Sequence, residues 1–406
     1  MAIKKQTVAD IKKLIEAEEV AVPTGLRKRE LLLFLDGVRK QKKLPQPLHT
    51  TSSNYTTLIP KYPDPSISWL QHLEIYGWCT VKIPDCEPLR YVDALYSHLE
   101  SCSPVSLESI KIGGSEAKQY PRLSKPSFRR ENPETWTTKN MITSLHGILK
   151  QYTGHTTWQW ELREMCYPLF CQIYKTDELL VSFDGACFLK PLDSNKKNTN
   201  DITNNATNTP AVSGYKQWLH LDQDRLHEII DGHDPNKMTC VQGLVNFLDS
   251  SSVDGGLVLV EKSHLAFAGY FQRHPADGFS PFFKVDMNDE ILRTLPVIKI
   301  CAPAGHLILW DSRIVHSNCP PNNQNVKKPR MCAYVSMQPR NYASKKDIEK
   351  RIRLYETGRQ TGHVVGGHAL KETMKHPMTY GGPVVMPEQP FYSAKLSNLG
   401  KKLVGY

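Results

Sequence analysis

The sequence predicts a mainly β chain with flanking helices (α+β), built on a β-sandwich or jelly roll. Three observations carry this. From Lys216 to Met337, short apolar runs (240–248, 256–260, 297–300, 306–310 and 331–337) alternate with turn signals, as in many short strands packed face to face. The segments on either side carry helical spacing of apolar residues instead of alternation. Residues 1–45 hold two further amphipathic helical patterns, set off from the rest by a stretch rich in Pro, Ser, Thr and Tyr.

Each element has a local cause. Thr7-Val8-Ala9-Asp10 predicts a capping box, in which the Thr hydroxyl and the Asp carboxylate each satisfy an orphan amide. Ile11, Leu14 and Ile15 give the helix that follows one apolar face, and Pro23-Thr24-Gly25 breaks it. A second helix places Arg27, Lys28 and Arg29 at its start and Leu31, Leu32, Phe34 and Leu35 on its apolar face, ending near Gly37. Residues 46–66 are expected to be a linker. A helix over 66–76 stops at Gly77, and 78–83 reads as a half-buried strand with Cys79, Val81 and Ile83 on one face. Helices are predicted over 87–101, 136–150 and 157–175, the last interrupted at Pro168. Residues 179–189 read as one buried strand whose alternation puts Asp184, Ala186 and Phe188 on one face, with Asp184 either lining a pocket or capping a turn. Residues 192–214 form a polar, Asn-rich insertion expected to be a loop. A charged helix over 344–356 precedes a tail rich in Gly and Pro. The resulting division is 1–45, a basic helical module; 46–66, a linker; and 67–406, the main domain with its core at 216–337.

At 406 residues the chain can bury one large core and a small accessory module. Its 40% hydrophobic and 23% charged residues are ordinary for a globular protein, and no stretch reaches the roughly 20 apolar residues that span a bilayer. No membrane partner is expected. The ten cysteines show no CxxC spacing and no zinc pattern. Together with the lack of a signal-peptide pattern they predict reduced thiols in an intracellular protein, cytoplasmic or nuclear, with "RKQKK" at 39–43 as a candidate nuclear signal. Without a secretory signal, the sequons at Asn54 and Asn205 are coincidental. The net charge of +10 is uneven: residues 1–45 hold eleven Lys and Arg against six acids, half of the excess. That balance suits phosphate contact, and DNA is the expected partner of 1–45; a hairpin docking on the main domain or on another protein is the alternative. Walker, GxGxxG and GxSxG loops are absent, and His227-Glu228 lacks the second His of a HExxH helix.

The chemistry-bearing pattern is His220-Leu221-Asp222, a distant His316 and then Arg330. A His-x-acid pair alone is weak, since His72-Leu73-Glu74 supplies one by composition on a helical pattern. His220 and Asp222 differ in lying on a strand-like approach, where period-two geometry points both side chains to one face. His316 follows another strand-like run, and Arg330 opens the next. Two His and one carboxylate on one face of a metal, leaving the opposite positions open, is the arrangement of non-haem iron(II) oxygenases. An Arg on a neighbouring strand suits a bidentate bond to the far carboxylate of 2-oxoglutarate.

The segments "QWLHLDQD", "VDGGLVLVEKSHL", "AGHLILWDSRIVHSN" and "PRMCAYVSMQP" resemble the phytanoyl-CoA dioxygenase (PhyH-like) family over residues 68 to about 340. The resemblance implies a double-stranded β-helix (jelly roll, cupin-like). It also implies iron(II) on His220, Asp222 and His316, with Arg330 holding 2-oxoglutarate as cosubstrate. The implied reaction consumes O2, releases succinate and CO2, and hydroxylates an unactivated C–H bond; the metal does the difficult chemistry while the protein orients and excludes water. Asp222 favours hydroxylation, because related halogenases carry Ala or Gly there. The chain departs from the family in the long loop between His316 and Arg330, in Asn318 where Ser or Thr is common, and in Val-Glu-Lys-Ser-His where Pro-Gly-Ser-His is common. At the N-terminus, "PTGLRKREL" resembles the SAP and related helix-extension-helix DNA-binding modules. Three readings of the whole follow: an oxygenase of a small or acyl-type molecule, the same chemistry on nucleic acid or a DNA-associated protein recruited by 1–45, or a binding protein with a lapsed site. The complete His220/Asp222/His316/Arg330 set speaks against the last.

Overall fold

The structure, a computed structural model, describes residues 7–16, 31, 35, 58–103, 105–106, 125–137, 140–141, 147–150, 152–191, 219–223, 231–234, 236–275, 282–321, 328–368, 370–373, 378–379, 382–383 and 394–406. The strands of its two large sheets, in chain order, are β1 (Ile59–Lys61), β2 (Trp78–Lys82), β3 (Ile148–Leu149), β4 (Leu179–Val181), β5 (Ala186–Leu189), β6 (His220–Leu221), β7 (Val241–Asn246), β8 (Gly256–Val260), β9 (Phe283–Lys284), β10 (Val297–Ile300), β11 (His306–Asp311), β12 (His316–Cys319), β13 (Arg330–Tyr334) and β14 (Met337–Pro339). One sheet runs β1-β10-β8-β12-β6-β9. The other runs β2-β11-β7-β13-β5-β3, with β14 joining β7 and carrying β4. Every pairing in them is antiparallel except β1 on β10. This is the expected jelly roll.

Alternation along the strands sorts the side chains into three apolar layers. Between the sheets lie Cys187, Leu189, Leu244, Ile308, Trp310 and Cys332 from one side, and Leu257, Leu259, Ile298 and Ile300 from the other. The outer face of the larger sheet (Ala186, Phe188, Val245, Leu309, Ala333) is covered by helices α3 (Pro88–Cys102), α4 (Thr157–Tyr174) and α7 (Asn398–Val404). Each fully buried Phe or Leu in such a layer contributes roughly 1.5–3 kcal/mol. Helix α5 (Phe267–Arg273), through Phe267, Tyr270 and Phe271, covers the smaller sheet together with Ile291 and Leu292.

Most elements fall where the sequence places them. Thr7 caps α1 (Val8–Glu16): its hydroxyl accepts from the Asp10 amide at 3.2 Å, and the Asp10 carboxylate accepts from the Thr7 amide at 2.8 Å. Ile11, Leu31 and Leu35 are buried, the last two in helical conformation. The remainder of the second N-terminal helix, its basic start and the Asn-rich insertion 192–214 lie outside the described residues. Ser68 and Gln71 close a capping box on α2 (Trp69–Tyr76), which ends at Gly77 with φ +81°. A Cβ there would meet His264 Nδ1 at 2.4 Å, so glycine both ends the helix and admits that neighbour. Ser344 caps α6 (Lys345–Glu356).

Four expectations are corrected. The linker assigned to 46–66 contains β1, whose Lys61 carbonyl accepts from the Cys301 amide at 2.8 Å and whose Lys61 ammonium holds both oxygens of Glu261 at 2.7 Å. No helix forms in the described residues of 136–150: Gly147 takes φ +78°, and Ile148 and Leu149 join the edge of the larger sheet through β5. α4 runs unbroken through Pro168, because burial of Leu162, Cys166, Leu169 and Phe170 outweighs the ~3 kcal/mol that an interior proline costs. The strand read over 179–189 divides into β4 and β5, since a Cβ at Gly185 would lie 1.9 Å from the Leu149 carbonyl oxygen. The division also turns Ala186 and Phe188 away from the interior, and Asp184 pairs with Lys150 at 2.9 Å instead of lining a pocket.

Candidate metal centre

His220 and His316 are register partners on the adjacent strands β6 and β12, with ring centroids 4.4 Å apart. Both point into the space between the sheets, because Leu219 and Leu221 on one strand and Val315 and Cys319 on the other face the outer layer. Asp222 lies two residues past His220 and therefore on the same side. His220 Nε2 stands 3.4 Å from Asp222 Oδ1, and His316 Nε2 stands 3.3 Å from Oδ2. One ligand atom from each of the three lies within 4.8 Å of the others, the single grouping of this kind among the described residues.

The surroundings prepare these groups to bind a cation. His316 donates Nδ1–H to the Ile314 carbonyl at 3.0 Å, which leaves the Nε2 lone pair facing Asp222. Burial pushes the Asp222 carboxyl up, but His220, His316 and His363 around it more than reverse this and hold it well below the usual range. It is therefore ionised at any ordinary pH. The Gln242 amide, reaching inward from β7, donates to Asp222 Oδ2 and to Ser312 Oγ, both at 3.2 Å, and so fixes the carboxylate from outside the ligand set. The turn before His316 is held by the buried Ser263 hydroxyl, which accepts from the Val315 amide at 2.8 Å. That gives the "SH" at the end of the Gly-rich segment a structural role.

Arg330 opens β13 and faces the same interior. Its Nη1 donates to Asn318 Oδ1 at 2.5 Å, and Asn318 Nδ2 donates to the Tyr334 hydroxyl at 3.3 Å. Asn318 is two residues beyond His316, so the guanidinium sits about 6–7 Å along the strand from that histidine. Nε and Nη2 of Arg330 are buried without a partner, although a fully buried guanidinium ordinarily finds one. A Cβ at Gly255 would meet the Arg330 Cβ at 2.8 Å, which is why the turn before β8 must be glycine. β12 and β13 lie in opposite sheets.

All four residues singled out in the sequence thus meet in one interior. Three contributors were not foreseen. Gln242 and Tyr334 lie within apolar runs and signal nothing by spacing. His363 reaches Asp222 Oδ2 to 3.9 Å from the C-terminal tail, far beyond the jelly roll in sequence. Its segment is pinned on both sides: Thr361 Oγ1 accepts from the Phe183 amide at 3.0 Å, and the Val365 amide donates to Gln338 Oε1 at 2.9 Å.

No family model matches the chain. It is 28% identical over 278 residues to Ava biosynthesis cluster protein O of Aspergillus versicolor, covering 64% of this chain and 81% of that one. It is 27% identical over 182 residues to a Dictyostelium discoideum protein whose name places it among the phytanoyl-CoA dioxygenases; this covers 43% of the chain and about half (51%) of the relative. Among solved structures, the epimerase SnoN, in complex with Fe3+, alpha-ketoglutarate and nogalamycin RO, aligns with 79% of this chain and 95% of its own at 11% identity and a TM-score of 0.39. AviO1 from Streptomyces viridochromogenes Tue57 aligns with 69% of this chain and 97% of its own, at 11% identity and a TM-score of 0.36. In sequence, and in the order of its candidate ligands, the chain resembles the phytanoyl-CoA dioxygenase-like proteins.

Proposed function

We propose that the protein is an iron(II)- and 2-oxoglutarate-dependent oxygenase, with His220, Asp222 and His316 as metal ligands and Arg330 as the cosubstrate anchor. The observation that carries this reading is the unpartnered Nε/Nη2 edge of Arg330, buried in the same interior as a two-His, one-carboxylate cluster. The donor set fits iron(II): two imidazole nitrogens and an ionised carboxylate grouped on one side of a common point. A five-carbon dicarboxylate would satisfy the remaining Arg330 donors with one end while the other faces the ligands. When bound, iron(II) supplies O2 activation coupled to conversion of 2-oxoglutarate to succinate and CO2.

The chain's own residues supply the rest. Asp222 stays ionised and is held in place by Gln242. Asn318 and Tyr334 orient Arg330. The buried apolar layer of Leu189, Leu244, Leu257 and Ile308 keeps water from the interior between the sheets. Hydroxylation of a C–H bond is the outcome we favour, because the carboxylate at 222 occupies a position that a halide would otherwise need. The name of the Aspergillus relative supports a substrate made in a biosynthetic cluster, in preference to nucleic acid. Loading the protein anaerobically with Fe(II) and 2-oxoglutarate is expected to give a weak visible charge-transfer band. Asp222→Ala is expected to lose both the band and succinate formation; a wild-type protein without the band, or a variant that keeps it, overturns the assignment.

A further inference from the structure

The interior beside Arg330 holds two thiols with no part in the proposed reaction. Cys187 on β5 and Cys332 on β13 are direct register partners, and neither is exposed. Both face the layer between the sheets. Among the described residues no other two cysteines oppose each other in this way. Antiparallel partners stand about 4.5–5.5 Å apart at Cα, within the about 4.4–6.8 Å that a disulfide spans. Cys187 Sγ accepts from Arg330 Nη1 at 3.7 Å.

We propose that Cys187 and Cys332 form an oxidative modification site, converted to a disulfide by a hydroperoxide that enters the cosubstrate pocket, and that 2-oxoglutarate on Arg330 shields it. This rests on the assignment of Arg330 above. The two sulfurs are differently prepared. The Arg330 guanidinium donates to Cys187 Sγ and so favours its thiolate, whereas burial pushes the Cys332 thiol well up. Cys187 is therefore the attacking thiolate and Cys332 the resolving thiol.

In the first step the Cys187 sulfur attacks a peroxide oxygen, the O–O bond breaks, and hydroxide leaves; a sulfenic acid remains. The Cys332 sulfur then attacks Cys187, the S–O bond breaks, and water leaves with the Cys332 proton. With a proton returned to the hydroxide, two thiols and one hydrogen peroxide become one disulfide and two waters. The sulfurs lose the two electrons that the peroxide gains. A carboxylate seated on Arg330 blocks this path and withdraws the cation that favours the thiolate.

The test uses the full chain, freshly reduced and loaded with Mn(II), exposed to hydrogen peroxide with and without saturating 2-oxoglutarate. Expected are a Cys187–Cys332 linked peptide by mass spectrometry, reversal by dithiothreitol, and formation slowed about fivefold or more by 2-oxoglutarate. Cys332→Ser should leave Cys187 as a sulfenic acid that a dimedone-type probe captures; if that variant does not fold, the wild-type peptide map decides alone. Absence of the linked peptide, while the partly exposed Cys86 or Cys171 is oxidised, overturns the proposal. A link that forms equally fast with cosubstrate bound overturns the shielding. Calorimetric binding of 2-oxoglutarate to the reduced protein is measured separately, so a failure of the Arg330 assignment is distinguishable from a failure of the thiol pair.

Discussion

Gln242→Leu tests whether the candidate centre is set from outside its ligands. The amide donates to Asp222 Oδ2 at 3.2 Å and to Ser312 Oγ at 3.2 Å from a nearly buried position on β7. Leucine fills a similar volume but removes the donor. A hydrogen bond to an ionised group contributes about 1.5–3 kcal/mol. Part of that is retained here, because His316 also approaches Oδ2 at 3.3 Å. Loss of an outer partner of a metal ligand typically costs 10–100-fold in affinity, or about 1.4–2.7 kcal/mol, and the hydrogen-bond estimate falls in the same range. Titrating Co(II) against a chromophoric chelator should show a Kd raised by about 10–100-fold. Binding of 2-oxoglutarate to metal-saturated variant should change by less than about twofold, since Gln242 makes no bond to Arg330, Asn318 or Tyr334. A normal far-ultraviolet spectrum controls for misfolding. Unchanged Co(II) affinity would refute the idea that Gln242 holds Asp222 in its binding rotamer.

The other perturbations separate cosubstrate, packing and pH. Arg330→Met should weaken 2-oxoglutarate binding about thirtyfold or more, since truncating one side of a buried charge pair costs about 2–5 kcal/mol, while Co(II) affinity stays put; equal loss of both would move the anchor elsewhere. Gly255→Ala places a Cβ 2.8 Å from the Arg330 Cβ. Overpacking of this kind costs about 1–3 kcal/mol and should appear as weakened 2-oxoglutarate binding with metal binding intact, measured by calorimetry. His155 is wholly buried, and its Nε2–H donates to the Arg359 carbonyl at 2.6 Å. Burial, with Arg163 adding, draws its pKa down to about 3. The unfolded chain takes up a proton near pH 6.5 that the native state refuses until about pH 3, so stability is lost as pH falls through that window, by about 2 kcal/mol at pH 5. His155→Gln should flatten the urea midpoint between pH 7 and 5, and an unaltered slope would assign the acid sensitivity to other groups.

The ligand set was legible because its chemistry follows a short-range rule. His220 and Asp222 face one way by strand alternation, His316 follows one apolar run and Arg330 opens the next. Alternation also predicted that sheets would pack face to face. What it could not supply was phase across a break: Gly185 interrupts 179–189, so Cys187 and Leu189 face inward where the unbroken pattern pointed Ala186 and Phe188. Residues 136–150 carry helical spacing, but Gly147 and the pairing of Ile148 with β5 override a local preference. Gln242 is invisible for a different reason. It is polar within a buried run, and only the neighbouring strands reveal that Asp222 and Ser312 wait at its amide.

His363 shows the limit most sharply, because its placement depends on a residue that reads as solvent-facing. In the sequence α6 is a charged helix, and Arg351 lies among Lys345, Lys346, Lys350 and Arg353. In the fold Arg351 is wholly buried and pairs with no carboxylate among the described residues; it donates instead to the carbonyls of Val181, Leu403, Val404 and Val365. A lysine could not do this, since a guanidinium presents several donors in a fixed plane where an ammonium is a compact point charge. One side chain thereby ties β4, the C-terminal helix and the segment around Val365 together. Val365 is two residues from His363, and its amide is held by Gln338. The imidazole beside Asp222 is thus positioned by a surface-seeming arginine that shares no motif with the jelly roll. One flank of the centre is thus formed by chain that folds back beside Asp222 after β14, and long-range closure of that kind leaves no periodic trace in sequence.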